Sequence, residues 1–433
     1  MSEKRKLLVV RSIVFLLFAI AALAAILPTP HPEGEYSATT GDVAWMITSA
    51  GLVLLMTPGL SFFYGGMVRP KNIISTLLQS FVALGIITFL WYAVGFSLAF
   101  GDSLGGFIGN PLTYAFFKDV GTAQHPVLGS GLPFVLFAAF QMKFAIITPA
   151  LITGSFAERI RFWAYLVFMM LFSLLVYCPL AHWTWHPDGF LAKWGVLDFA
   201  GGTVVHISAG VAALAGAIHM GPRRDTTPAP INIPYVILGT GLLWFGWFGF
   251  NSGSALGANA LAVDAFINTH LASASALIGW VLTDVYRGRK ISALGACIGA
   301  VVGLVAITPA AGFVGYGASL FIGFTSAIIS NYAVRRRERS SLDDTLDVFP
   351  CHGVGGISGM IFTAVFARVG GLITGSTELF LAHLAALVVV VAFVFGVSWL
   401  LYKLTERIIP MRVSEAQEID GLDLTQHRES VLV

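Results

Sequence analysis

Charge is what this chain has least of. Of its 433 residues 11% are charged and 56% hydrophobic, and the mean hydropathy is +0.81. Soluble domains carry about a quarter charged residues, so a water-soluble globule is excluded. Neither sign dominates: 25 Lys and Arg against 23 Asp and Glu leave a net +2, which gives no basic footprint for nucleic acid. Cysteine is scarce as well. Cys178, Cys297 and Cys351 form no even disulfide framework and no metal-ligand spacing; they read as small buried hydrophobes.

What the chain does have is long apolar runs. Beyond residue 40 they fall at 43–67, 73–100, 132–156, 162–181, 199–220, 233–252, 264–283, 291–308, 315–334, 350–367 and 378–402, separated by polar breaks such as RPKN, AERIRF, GPRRDTTPAPINIP and VYRGRK. About 20 apolar residues cross a bilayer as a helix, and spanning backbone must satisfy its own hydrogen bonds. The class is therefore an all-α polytopic membrane protein with eleven transmembrane helices, the last one long. The N-terminus is a separate matter. A basic MSEKRKLLVVR, an apolar core at 13–27 and the small-x-small Ala22-Leu23-Ala24 have the pattern of a secretory signal peptide. Residues 1–27 are expected to be one, with a short extra hydrophobic helix as the alternative. Residues 40–403 form the membrane domain and 404–433 a cytoplasmic tail.

The basic residues orient the chain. Connections after odd-numbered segments hold Arg69, Lys71, Arg159, Arg161, Arg223, Arg224, Arg287, Arg289, Lys290 and the Arg335–Arg339 run, whereas those after even-numbered segments hold Lys118, Lys193 and Arg368. The positive-inside rule puts the first group in the cytoplasm. The mature N-terminus is then outside and the C-terminus inside, in the cell (inner) membrane. Five segments per half reverse orientation, so segments one to five and six to ten can be two inverted repeats. LLMTPGLSFFYGGMV (54–68) and LLWFGWFGFNSGSAL (242–256) share a Gly/aromatic texture at matching places, and inverted repeats put a substrate path at their interface.

Polar residues inside such segments need a reason. His206 lies in DFAGGTVVHISAG and His352 in DVFPCHGVGGISG, in corresponding segments and among glycines that permit close helix approach. They read as a pair of imidazoles able to share a proton, or as two unrelated histidines bonding helix carbonyls. Depth does not decide: at 1.5 Å per residue His206 is about 10 Å from the outer end of its segment and His352 about 8 Å from the inner end of its own. Asp198 and Asp347 precede these segments and are expected to cap them, with a direct substrate role as the alternative. Trp183, Trp185, Phe250 and Ser254 fall at outer ends, where aromatic faces and a hydroxyl can hold a small cation or simply form the interfacial belt. His182 and His186 form an HxxxH without an acid at ligand spacing, so no metal and no cofactor are expected.

FFYGGMVRPKN (62–72), FAIITPALITGSFAERIRF (144–162), DFAGGTVVHIS (198–208), GWFGFNSGSA (246–255) and DVFPCHGVGGI (347–357) resemble the signature blocks of the Amt/Mep/Rh ammonium transporter family, in family order over nearly the whole mature chain, and the Amt branch in particular. The resemblance implies a homotrimer with one narrow pore per protomer and no enzyme activity. It assigns Trp185, Phe144 and Ser254 to an external ammonium recruitment site and Phe144 with Phe250 to the gate beneath it. His206 and His352 become the twin histidines of the pore, Trp247 a pore-lining residue, and Asp198 a structural acid near the entrance. It also implies an irregular start to the segment of His352. The tail EIDGLDLTQHRES (418–430) is similar to the family's cytoplasmic motif, with Arg428 where glycine is usual, and a PII-type signalling protein is the partner the family implies there. Lys143, beside Phe144, is expected to face a helix or subunit interface. A bare ammonium ion is costly to bury. The expected function is therefore recruitment of NH4+, its deprotonation, and conduction of NH3 with separate proton transfer, which is electrogenic uptake. The alternatives are a passive NH3 or CO2 channel of the Rh type, and an ammonium sensor signalling through its tail.

Overall fold

A computed structural model describes residues 3–27, 30, 32–227 and 232–431. Residues 1–2, 28–29, 31, 228–231 and 432–433 lie outside the described residues; they include parts of the expected signal peptide, of the PTPHPEGE stretch after it, and of GPRRDTTPAPINIP. Among the described residues, 11 helices are long and apolar enough to cross a membrane. They are α1 (Arg5–Ile26), α2 (Thr40–Gly65), α3 (Pro70–Phe100), α4 (Phe134–Ser155), α5 (Phe162–Lys193), α6 (Gly202–Met220), α7 (Ile233–Ala255), α8 (Ala260–Tyr286), α10 (Tyr316–Glu338), α11 (Phe349–Phe366) and α12 (Glu378–Ile408). Between α8 and α10 stands α9 (Ala293–Ile307), the eighth apolar segment of the sequence, at 15 residues. The apolar segments beyond residue 40 thus correspond one to one with α2–α12. A small ladder, β1 (Ser103–Leu104) with β2 (Ile108–Gly109), sits in the connection after α3.

Local sequence sets the ends. Thr39 and Asp42 form a capping box on α2: Asp42 N donates to Thr39 Oγ1 and Thr39 N to Asp42 Oδ2. Asn259 and Ser292 cap the helices of α8 and α9. The most extensive helix contact is that of α2 with α7, the first membrane helices of the two expected halves. Their contact runs over the Gly/aromatic stretches noted in the sequence. A Cβ on Gly59 would stand 2.9 Å from the Leu242 Cβ, and Gly239 and Gly246 abut the backbones of Phe63 and Leu52. Only glycine admits backbones that near.

The helices of the two histidines are antiparallel and overlap through their N-terminal halves: Gly202 lies beside Met360, Gly356 beside His206, and Gly210 against the backbone of Gly353. Each opens with a wide π-helical turn, Gly202–Ile207 and Phe349–Gly353. Such turns collect at functional sites. This resolves the depth mismatch, because the two helices extend away from a shared meeting place instead of filling the same slab end to end.

At the face where α12 releases the tail, buried ion pairs lock the connections together. Glu158, in left-handed backbone at φ +69°, accepts Arg69 Nη1 at 2.6 Å and Arg223 Nη1 at 2.8 Å. Asp343 accepts Arg223 Nε at 2.9 Å and lies 3.8 Å from the fully buried Arg159. Burial pushes both carboxyls up, but the Arg69 backbone N–H and the Arg223 and Arg69 guanidiniums hold Glu158 below its ordinary value. Hydrogen bonds from Arg223 and the charge of Arg159 do the same for Asp343. The tail then docks across this face. Arg161 N donates to Met411 O at 2.7 Å and Val413 N to Arg159 O at 3.0 Å, and Asp423 takes the N–H groups of Ile74 and Ser75 at 3.0 and 2.7 Å, capping α3 from another part of the chain. Arg428 adopts φ +59°, so the backbone makes at Arg428 the left-handed turn that glycine makes without strain.

Candidate functional site

On the opposite face a cleft of about 210 Å³ is lined by Phe100, Gln141, Phe144, Trp185, Phe199 and Ser254, among others. The Trp185 indole donates to Asp198 O at 3.1 Å, which fixes its ring edge-on to Phe144 with centroids 5.9 Å apart. Phe144 lies 4.3 Å from Phe250 and tilted by 40°, closing the floor. The Ser254 hydroxyl donates to Phe250 O one turn back, leaving its lone pairs for a donor in the cleft. Asp198 binds at the start of α6, accepting from Gly201, Gly202 and Thr203 N–H at 2.9, 2.6 and 2.7 Å and from the Thr203 hydroxyl. Four donors consume the carboxylate, and it faces the backbone rather than the cleft.

Beneath the phenylalanines lies a slot of about 10 Å³, lined by Met56, Leu60, Phe63, Ile147, Leu151, Val205, Leu243, Trp247, Phe250, Val301, His206 and His352. That is at the limit of one water-sized molecule. The imidazoles meet there: His206 Nδ1 and His352 Nδ1 are 3.3 Å apart, with ring centroids 5.4 Å apart. Both are buried. His206 stacks on Trp247 at 5.3 Å and on Phe250 at 5.9 Å. Trp185, Phe144, Phe250, His206 and His352 therefore form one continuous series of neighbouring rings.

Some expectations are corrected. Asp347 does not cap α11. Phe349 N donates to Asp344 Oδ2 at 2.7 Å, and Asp347 instead holds Arg337 through two bonds at 2.7 and 2.8 Å. Asp344 reaches that N–H from five residues upstream, while Asp347, at φ +57°, has both carboxylate oxygens on Arg337. Burial, against the pull of Arg337, pushes the Asp347 carboxyl up to about 7. His182 is fully engaged, Nδ1 with Ala99 O and Nε2 with the Ser103 hydroxyl, and stacks on His186; no group of three possible metal ligands occurs among the described residues. Trp183 bonds Phe107 O outside the cleft. Lys143 Nζ approaches the Met142 sulfur at 4.0 Å and lines neither cleft nor slot.

Two residues escaped the sequence reading. Thr308 is fully buried, and its hydroxyl meets His206 Nε2 at 3.2 Å and the Trp247 indole N–H at 2.9 Å. Gln141 carries a buried amide oxygen without a partner in the wall of the cleft, one helical turn before Phe144. A look three residues back along that helix face would have found it; nothing in the spacing of Thr308 signals its place.

The fold and this buried, aromatic-walled slot define a multi-pass helical membrane protein with a narrow internal passage. The Ammonium Transporter Family model matches residues 44–432, and the chain belongs to that family. It is 45% identical to a putative ammonium transporter of Methanothermobacter thermautotrophicus, over 90% of this chain and 98% of the other. The ammonium transporter of Aquifex aeolicus is 44% identical over 91% and 94%. Among solved structures, Candida albicans Mep2 aligns with TM-score 0.83 and 35% identity over 88% of each chain. A structure described as a sensor Amt protein aligns at 0.83 and 32% over 89% and 98%.

Proposed function

We propose that the protein takes up ammonium by binding NH4+ in the cleft of Trp185, Phe144 and Ser254, removing a proton there, and passing NH3 between Phe144 and Phe250 and along the twin histidines. The proton travels separately, so uptake is electrogenic. One observation carries this reading: a slot with room for about one molecule, walled by hydrocarbon and ending on two buried imidazoles. A cation stripped of water in such a slot meets no carboxylate, and its burial costs many kcal/mol, whereas neutral NH3 needs one or two hydrogen bonds. The cleft above offers what the cation needs: aromatic faces for cation–π attraction, the Ser254 lone pairs and the unpartnered Gln141 oxygen. Size does not separate NH4+ from K+, but loss of a proton does. The histidines then supply the polar step of the dry passage, which Trp247 helps to wall.

We assign the wider frame in the same way. Residues 1–27 act as a signal peptide, 40–403 as the transport domain and 404–433 as a cytoplasmic regulatory tail that meets a PII-type protein. The mature N-terminus is outside and three protomers assemble in the cell membrane. The orientation is supported by Pro30, Pro32 and Glu35, whose carbonyls accept hydrogen bonds from the connection after α3, the side that is poor in Lys and Arg. Two inverted repeats are supported by the α2–α7 pair and by the matching wide turns of α6 and α11.

Purified protein reconstituted into solid-supported membranes gives the test. An ammonium pulse is expected to evoke a current and a K+ pulse none. His206→Ala is expected to lose the current, or to lose the exclusion of K+. A wild-type protein that moves ammonia without moving charge sinks the electrogenic reading.

A further inference from the structure

We infer that Thr308 is the positioning residue that decides which nitrogens of the twin imidazoles carry protons; the inference rests on the route proposed through His206 and His352. A hydroxyl has one proton to give and two lone pairs to offer. Thr308 stands just past α9, and its proton goes to Leu304 O at 2.8 Å. One lone pair takes the Trp247 indole N–H at 2.9 Å, a group that can only donate. The other lone pair faces His206 Nε2 at 3.2 Å, so that nitrogen is the donor. Neutral His206 is therefore protonated at Nε2 and bare at Nδ1.

The consequence passes to the second ring. Since His206 Nδ1 accepts, the 3.3 Å bond between the two Nδ1 atoms is donated by His352. His352 is then protonated at Nδ1 and bare at Nε2. Among the described residues this is the one ring nitrogen of the pair without a partner. The pair is polar as a unit: ammonia meets a ready acceptor at His352 and none at His206. Exchanging the tautomers requires the Thr308 hydroxyl to turn from Leu304 O and donate to His206 Nε2. Passing a neutral molecule and passing a proton thus call for two different settings of one hydroxyl.

The test reads tautomers directly. Protein carrying 15N-imidazole histidine in lipid nanodiscs is examined by NMR, with the two rings assigned by the signals missing in His206→Ala and His352→Ala. The wild type is expected to show a protonated Nε2 and bare Nδ1 at His206, and the reverse at His352. Thr308→Val, of the same shape without the hydroxyl, is expected to populate both tautomers and to lower the ammonium current about tenfold, the size expected when buried donors lose their acceptor. Thr308→Ser restores both. The inference is overturned if Thr308→Val keeps the wild-type pattern, or if Thr308→Ser behaves as Val does, which would make the residue a matter of packing. A wild type without ammonium current but with the pattern scrambled by Thr308→Val would remove the transport reading and leave the assignment of Thr308 standing.

Discussion

At the scale of single residues, hydrogen-bond accounting sorts the polar groups that hydropathy only flags. His206 and His352 were legible because an imidazole among glycines in an apolar segment needs a partner. Thr308, the partner of His206, was not, since a threonine in an apolar run is ordinary and its contact with His206 spans 102 residues of chain. Asp347 carried the same local signal as Asp198 and turned out to be paired with Arg337, because Asp344 is the better-placed acceptor. Arg428 illustrates a cost that sequence does flag. A non-glycine residue at φ +59° is disfavoured by about 1 kcal/mol. Arg428→Gly is expected to raise the thermal midpoint of the tail, measured as slower proteolysis or slower amide exchange across 421–428; no change there would show that the turn is unstrained.

At the scale of elements, composition and length located the helices beyond residue 40, and polar or Gly/Pro-rich stretches located the breaks between them; Arg5–Ile26, expected as a signal peptide, is also a helix long and apolar enough to cross a membrane. What they could not give is where a helix begins in depth, because a π-helical turn has no fixed sequence signature. The start of α11 was expected to be irregular only through family resemblance, and the matching turn in α6 was not expected. The ion-pair layer under the tail yields a pH prediction. Glu158 and Asp343 have folded-state values below their unfolded ones, so their contribution is complete above the unfolded values and is lost as pH falls through the folded ones. The share of thermal stability that this layer supplies, read in detergent as the difference between wild type and Glu158→Gln, is expected to be constant from neutral pH to about 5 and to shrink below about 4. In Glu158→Gln the protein is expected to be less stable at neutral pH by about 3 kcal/mol, because Arg69 and Arg223 keep their charge and lose its partner, and its acid-induced fall is expected to be shallower. An unchanged acid limb would assign that limb to other carboxylates.

At the scale of the whole molecule, residues distant in sequence are brought together at both faces. The tail is held by Asp423 on the first turn of α3 and by backbone bonds to Arg159 and Arg161. Asp423→Ala is expected to cost about 1–2 kcal/mol at that docking site and to free residues 414–428 for exchange in hydrogen–deuterium measurements while leaving α2–α12 protected; equal protection in wild type and variant would mean the tail is held elsewhere. The slot above His206 and His352 has a consequence for traffic. A space that takes about one molecule lets none overtake another, so on the proposed route inward and outward ammonia would share a single file. Tracer influx by that route is then expected to fall as internal ammonia rises, by occupancy alone and without any regulator.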